Sequence, residues 1–318
     1  LSNDNEGDPG NDDTVLDPTL ENINEHRVST TGDMAQTLTY DATNFTGTEE
    51  IVDASFSTDV TPDSGSGNFG SVTFDNLEGS TGVGIEADEY AHKLTVNYAG
   101  TQSSDVADVR LADGDVNTAT VTGITEVALQ SNGSLNRVET LDVNNTGVAD
   151  TVTVNGSANL EVGVAREVAG NRSIDANLNA LADVSTLDAG QATGDIVVRT
   201  DADDATVTLG SGDDAIQHSG ANGTVNLGEG DNAAFITSGN GNTVNAGSGG
   251  DDVTVNAVNN TTLNLGGGNN TITTKNAVNG LDVTTTAGND TLTLASMAGN
   301  VTADLGGGQN TVDAASNT

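Results

Sequence analysis

The sequence predicts an all-β chain: a parallel β-solenoid of the β-roll or β-helix kind, preceded by a small β-sandwich-like N-terminal domain. Three observations carry this expectation. Tandem turns at Gly210, Gly228, Gly247, Gly266, Thr286 and Gly306 fit a nine-position frame, x-G-x-G-x-D-x-U-x, where U is a large apolar residue. The frame starts at Leu209, Leu227, Ala246, Leu265, Thr285 and Leu305, so it steps by 18 to 20 residues, about two nonapeptides per coil. Between the turns the residues alternate with period two. Hydrophobic residues make up 34% of the chain and aromatics only 3%, which suits a thin stacked core rather than a thick globular one.

In chain order, residues 1–30 are an acidic arm, with Asp4, Glu6, Asp8, Asp12 and Asp13 among turn-formers. Residues 31–105 read as the small β-domain. Strand-like pieces such as Thr37–Tyr40, Ile51–Phe56, Ser71–Phe74 and Lys93–Tyr98 are separated there by turn clusters, and most of the aromatics fall among them. Residues 106–204 carry short strands at about 12-residue spacing and read as an irregular solenoid. Residues 205–318 are the regular β-roll. In each coil the U residue opens one strand. A second turn, such as Ser219-Gly220-Ala221-Asn222-Gly223, leads to another strand whose inward pairs are Val225/Leu227, Val244/Ala246, Leu263/Leu265, Leu281/Val283 and Ala303/Leu305. The last rung is followed only by 313–318, so either more chain or another subunit is expected to cover that end.

The chain has 47 acidic and 8 basic residues, a net charge of -39, no cysteine and no apolar run long enough to span a bilayer. Nucleic acid and membrane insertion are therefore not expected; divalent cations and basic partners are. It opens with Leu1 rather than Met and shows no signal-peptide core, so it reads as processed, exported by another route, or a fragment. His26, His92 and His218 are not at metal-ligand spacing from one another, and His218 reads as a rim residue. Asp113-Gly114-Asp115 starts like a Ca²⁺ loop but lacks its sixth-position Gly and twelfth-position carboxylate.

The sixth frame position alternates strictly: Asp214, Asn232, Asp251, Asn270, Asp290, Asn310. In-register stacking puts these about 4.8 Å apart, where an unbroken Asp row would repel itself unless cations sat between the rungs. Oxygen-rich turns with a carboxylate on every other rung suit a hard cation. The candidate ligands for Ca²⁺ are Asp213, Asp214, Asp231, Asn232, Asp251, Asp252, Asn270, Asp290 and Asn310. The competing reading is that the same residues simply form turns.

The nonapeptides resemble the calcium-binding repeats of RTX proteins, which Gram-negative bacteria export by type I secretion. Upstream, Val138-Glu139-Thr140-Leu141-Asp142-Val143, Asn155-Gly156-Ser157-Ala158-Asn159-Leu160 and Leu187-Asp188-Ala189 resemble phrases in RTX-type surface-layer (S-layer) proteins. The resemblance implies a secreted, cell-surface protein with Ca²⁺ between its turns. The chain departs from that pattern where Asn replaces Asp on three rungs and where the opposite half-turns lack the Asp.

The expected function is structural and not enzymatic: a self-assembling extracellular subunit of a surface layer or filament. Its partners would be copies of itself and cell-surface polysaccharide. The alternatives are a Ca²⁺-dependent RTX adhesin module and, more remotely, a β-helix polysaccharide-active enzyme built on Arg166, Arg172 and Arg199 near Asp175 and Asp188.

Overall fold

A computed structural model describes residues 14–16, 20–21, 25–28, 37–46, 50–53, 71–79, 81–86, 90–99, 106–113, 115–144, 150–163, 181, 184–256, 259–276, 278–295 and 299–314. The acidic 1–13 segment, Arg166, Arg172 and Asp175 lie outside them. The chain forms two compact units, Leu1–Thr153 with Ala158–Glu161, and Val154–Ser157 with Val162–Thr318.

The second unit is a parallel β-solenoid. One ladder runs through Ile196–Thr200, Ala215–His218, Ala233–Ile236, Asp252–Val255, Thr271–Thr274, Thr291–Leu294 and Thr311–Ala314. The other runs through Val184–Asp188, Thr206–Thr208, Thr224–Asn226, Thr243–Asn245, Thr262–Asn264, Leu281–Thr284 and Val301–Asp304. Ile216 pairs with Ala234, 18 residues on, and Leu292 with Val312, 20 on, so the sequence period is the length of one coil.

The inward positions are those the alternation assigns, except that Ala246 and Leu305 are only half-buried and Ala303, on the last rung, is exposed. Ile216, Val253, Ile272 and Leu292 from one ladder meet Val225, Val244, Leu263 and Val283 from the other, none more than 1% exposed. Each fully buried Leu or Ile contributes about 1.5–3 kcal/mol relative to exposure, which only a stack of such thin layers can accumulate into a stable fold. At the last rung Val312 is 57% exposed.

Glycine is required at one column of the turn. A Cβ added to Gly249, Gly268, Gly288 or Gly308 would lie 1.9, 1.8, 1.6 or 1.7 Å from the carbonyl oxygen of the glycine one rung earlier, and each has positive φ. Neighbouring coils approach there too closely for any side chain.

The first unit is also built from parallel pairs. Thr37–Asp41 pairs with Ser71–Leu77, and that strand with Tyr90–Tyr98. Glu50–Asp53 pairs with Gly82–Glu86, which pairs with Val106–Ala112. The strands expected to form a small sandwich over 31–105 thus lie in two parallel ladders, together with Asp115–Thr122 and Glu126–Asn132. The aromatic residues serve that stack, since Tyr40 and Phe74, on paired strands, have rings 5.0 Å apart and nearly parallel.

Two further details bind this unit. Arg137 donates to Glu161, which is 1% exposed, from Nε and Nη2 at 2.8 and 2.7 Å. Asp113, in the loop that begins like a Ca²⁺ site, accepts the Ser134 N–H at 2.6 Å and the Ser134 hydroxyl at 2.7 Å. Those bonds hold its carboxyl below the usual range, the hydroxyl bond contributing most. Its oxygen is engaged in joining one coil to the next.

Candidate functional site: two Asx columns on the glycine turns

The turn places adjacent frame positions on opposite sides of the backbone. The sixth position points inward: Asp214, Asn232, Asp251, Asn270 and Asp290 are each at most 2% exposed. The fifth points outward, where Asp213, Asp231, Asn269 and Asn289 are exposed. Asp252, the position after Asp251, is likewise exposed.

The inward residues form a continuous hydrogen-bonded spine. Main-chain N–H groups of Ile196, Asp214, Asn232, Asp251, Asn270 and Asp290 donate to Oδ1 of Asp214, Asn232, Asp251, Asn270, Asp290 and Asn310 at 2.7, 2.9, 3.2, 3.0, 2.9 and 2.9 Å. Each inward side chain thus satisfies an amide on the preceding rung, one that would otherwise be buried without a partner.

The asparagines add a second set of bonds. Asn232 Nδ2 donates to Asp251 Oδ1 at 3.1 Å and Asn270 Nδ2 to Asp290 Oδ1 at 3.0 Å. The Asn232 amide also donates to the Gly230 carbonyl at 3.0 Å, and Asn310 Nδ2 to the Leu305 carbonyl at 2.7 Å.

The outward column runs in the opposite sense. The N–H groups of Asp213, Asp231 and Gly250 donate back to Oδ1 of Asp195, Asp213 and Asp231 at 3.0, 2.9 and 2.6 Å. Those of Asn289 and Gln309 donate back to Oδ1 of Asn269 and Asn289, both at 2.8 Å. The outward column is interrupted at Gly250, which has no side chain to accept from the Asn269 turn; the other turns are tied forward by the N–H of the inner residue and backward by that of the outer one.

Second-side oxygens of the buried aspartates differ. Asp290 Oδ2 accepts the Thr285 hydroxyl at 2.8 Å, whereas Asp214 Oδ2 and Asp251 Oδ2 have no hydrogen-bond partner. Burial pushes the Asp214 carboxyl up to about 6, with Asp195 and Asp213 adding to it against the N–H groups of Ile196 and Gly210. Burial raises Asp251 as well, with Asp231 and Glu229 adding to it and the Asn232 amides opposing. Thr285 is the frame's one departure from an apolar first position, and its role is to cap the Asp290 carboxylate.

The opposite turns repeat the device more loosely. Asn242, fully buried, accepts the Gly223 N–H at 2.7 Å and donates to the Gly220 carbonyl at 3.0 Å. His218 lies inside rather than on the rim: it is 0% exposed, both ring nitrogens lack a hydrogen-bond partner, and burial lowers its pKa, favouring the neutral ring. On the outer face of the second ladder, Asn245 Nδ2 donates to Asn226 Oδ1 at 2.8 Å and Asn264 Nδ2 to Asn245 Oδ1 at 2.9 Å.

A calcium ion takes six to eight oxygens at about 2.3–2.6 Å. Among the described residues no three His, Asp or Glu side chains are grouped so as to hold one. The interior column does not fit such an ion: its Oδ1 atoms already accept N–H groups, and Asn232 and Asn270 aim N–H hydrogens along it. The partnerless oxygens, on Asp214 and Asp251, sit two rungs apart, roughly 10 Å at the strand spacing, too far for one ion.

Comparison with protein families, with curated proteins and with solved structures finds no match to this chain.

Proposed function

We propose that the chain is a structural, self-assembling extracellular protein, a subunit of a surface layer or filament. The observation that carries this reading is the use of polar side chains in the second unit. Inner and outer turn residues repeat from coil to coil, and their oxygens are engaged in joining one coil to the next. Hydrogen bonds that tie successive turns to one another favour a stiff building element. The acidic excess, a net charge of -39, favours solubility and regulated association through cations or basic partners. The likeness of the nonapeptides and upstream phrases to RTX and S-layer sequences points the same way.

Electron microscopy of the purified chain, with and without divalent cations, tests the proposal. Ordered sheets or filaments are the expected result. A monodisperse monomer by sedimentation across protein concentration and ionic conditions overturns it.

A further inference from the structure

We infer that the interior column Asp214–Asn232–Asp251–Asn270–Asp290–Asn310 is a cation-free, rung-locking spine. Its alternation exists to supply hydrogen-bond donors between carboxylates, not to space bound ions. This inference stands apart from the assembly proposal, because it concerns how one chain holds its own coils together.

The alternation follows from counting donors and acceptors. An ionised Asp offers only acceptors, whereas Asn offers two N–H donors besides its oxygen. In a column of stacked Asp, each Oδ1 would accept one main-chain N–H and face the next carboxylate at about 4.8 Å. Inserting Asn replaces that repulsion with an attraction: Asn232 Nδ2 reaches Asp251 Oδ1 at 3.1 Å, and Asn270 Nδ2 reaches Asp290 Oδ1 at 3.0 Å. Both amides therefore donate a stabilising hydrogen bond to the carboxylate that follows them.

The turn is also built to accept Asn. Asn232 Nδ2 donates to the carbonyl of Gly230, two residues earlier, at 3.0 Å, and Asn270 Nδ2 approaches that of Gly268 at 3.5 Å. Gly249 stands in the same relation to Asp251, and its carbonyl lies in the same glycine column. An Asn at 251 would find an acceptor for the amide that replaces the partnerless Oδ2.

The cation reading and the spine reading predict opposite signs for a pair of substitutions. For a cation row, Asp251→Asn removes a ligand and destabilises, while Asn270→Asp adds one and strengthens binding. For the spine, Asp251→Asn removes a buried charge and keeps the Oδ1 acceptor. Asn270→Asp deletes the donor to Asp290 Oδ1 and stacks three consecutive carboxylates, 251, 270 and 290, in the interior.

The experiment is thermal melting of the full chain and both variants by circular dichroism, in excess chelator and in millimolar CaCl₂, with calcium titration calorimetry of the parent and Asp251→Asn. The spine predicts that Asp251→Asn melts at or above the parent temperature in both media and binds as many calcium ions as the parent. It predicts that Asn270→Asp melts far lower, or fails to fold, with calcium present as well as absent. Loss of bound calcium and of melting temperature in Asp251→Asn overturns the inference. So does an Asn270→Asp variant that melts above the parent in calcium. Should Asn270→Asp fail to fold without calcium, its behaviour with calcium and the Asp251→Asn comparison still decide the matter.

Discussion

Acidification is predicted to stabilise the second unit, an unusual direction for so acidic a protein, and the effect can be sized from Asp214. Its side chain is 1% exposed, and Oδ2 has no hydrogen-bond partner. Burial raises its pKa from 3.8 to about 6, so the folded state holds the proton more tightly than the unfolded chain does. Folding therefore takes up a proton between about pH 4 and 6, and stability falls as pH rises through that window. A difference of about 2 in pKa corresponds to about 3 kcal/mol. Discounted for solvent screening, this is about 2 kcal/mol. About half of it, about 1 kcal/mol, falls between pH 7.5 and 5, the rest below pH 5, and for a domain of this size that is about 2–4 °C in melting temperature. Asp251, raised by burial, adds in the same direction.

Relief of general charge repulsion has the same sign, so the decisive comparison is with Asp214→Asn, whose melting temperature should depend less steeply on pH. A parent melting temperature that is flat or falling from about pH 7.5 to 5 would refute this reasoning. An Asp214→Asn profile parallel to the parent's would refute the assignment to Asp214.

Further substitutions test the fold and the spine. Ala246→Thr places a hydroxyl five residues before Asp251, as Thr285 stands before Asp290, and should raise the melting temperature by a few degrees by capping Asp251 Oδ2. Gly268→Ala, where φ is +107° and a Cβ would lie 1.8 Å from the Gly249 carbonyl oxygen, should cost at least about 3 kcal/mol in chemical denaturation. Gly307→Ala, with nothing within 4 Å of its Cβ, should be neutral within about 0.5 kcal/mol. Arg137→Ala leaves buried Glu161 without its guanidinium partner and should destabilise the first unit by about 3–5 kcal/mol, read by denaturant unfolding.

The regular coils were legible because one unit repeats. The Gly positions, the U residues and the second-strand pairs of residues 205–318 each recur, so the 18- to 20-residue register could be read before any coordinate. The parallel pairing of Thr37–Asp41, Ser71–Leu77 and Tyr90–Tyr98 could not. Alternation at period two is the same in parallel and antiparallel strands, and aromatics such as Tyr40 and Phe74 suggested a thicker core than the stack they occupy.

The Asp/Asn alternation at the sixth position was visible, but its inward direction was not. Which side of the turn a side chain takes is set by the backbone dihedrals of the glycines beside it, a choice the residue types leave open. The same gap put His218 on the rim. Thr285 carried a usable signal: a hydroxyl at an otherwise apolar position, in the coil of Asp290, marks a capped buried carboxylate.

Amide hydrogen exchange of the parent protein tests the rung-locking account most directly. The main-chain N–H groups of Asp214, Asn232, Asp251, Asn270 and Asp290 end on side-chain oxygens of the next rung, inside the solenoid. They are predicted to exchange as slowly as the strand amides of Val253 and Ile272, with protection factors unchanged by chelator. Exchange as fast as that of exposed turn amides, or protection that appears only when calcium is added, would contradict the account.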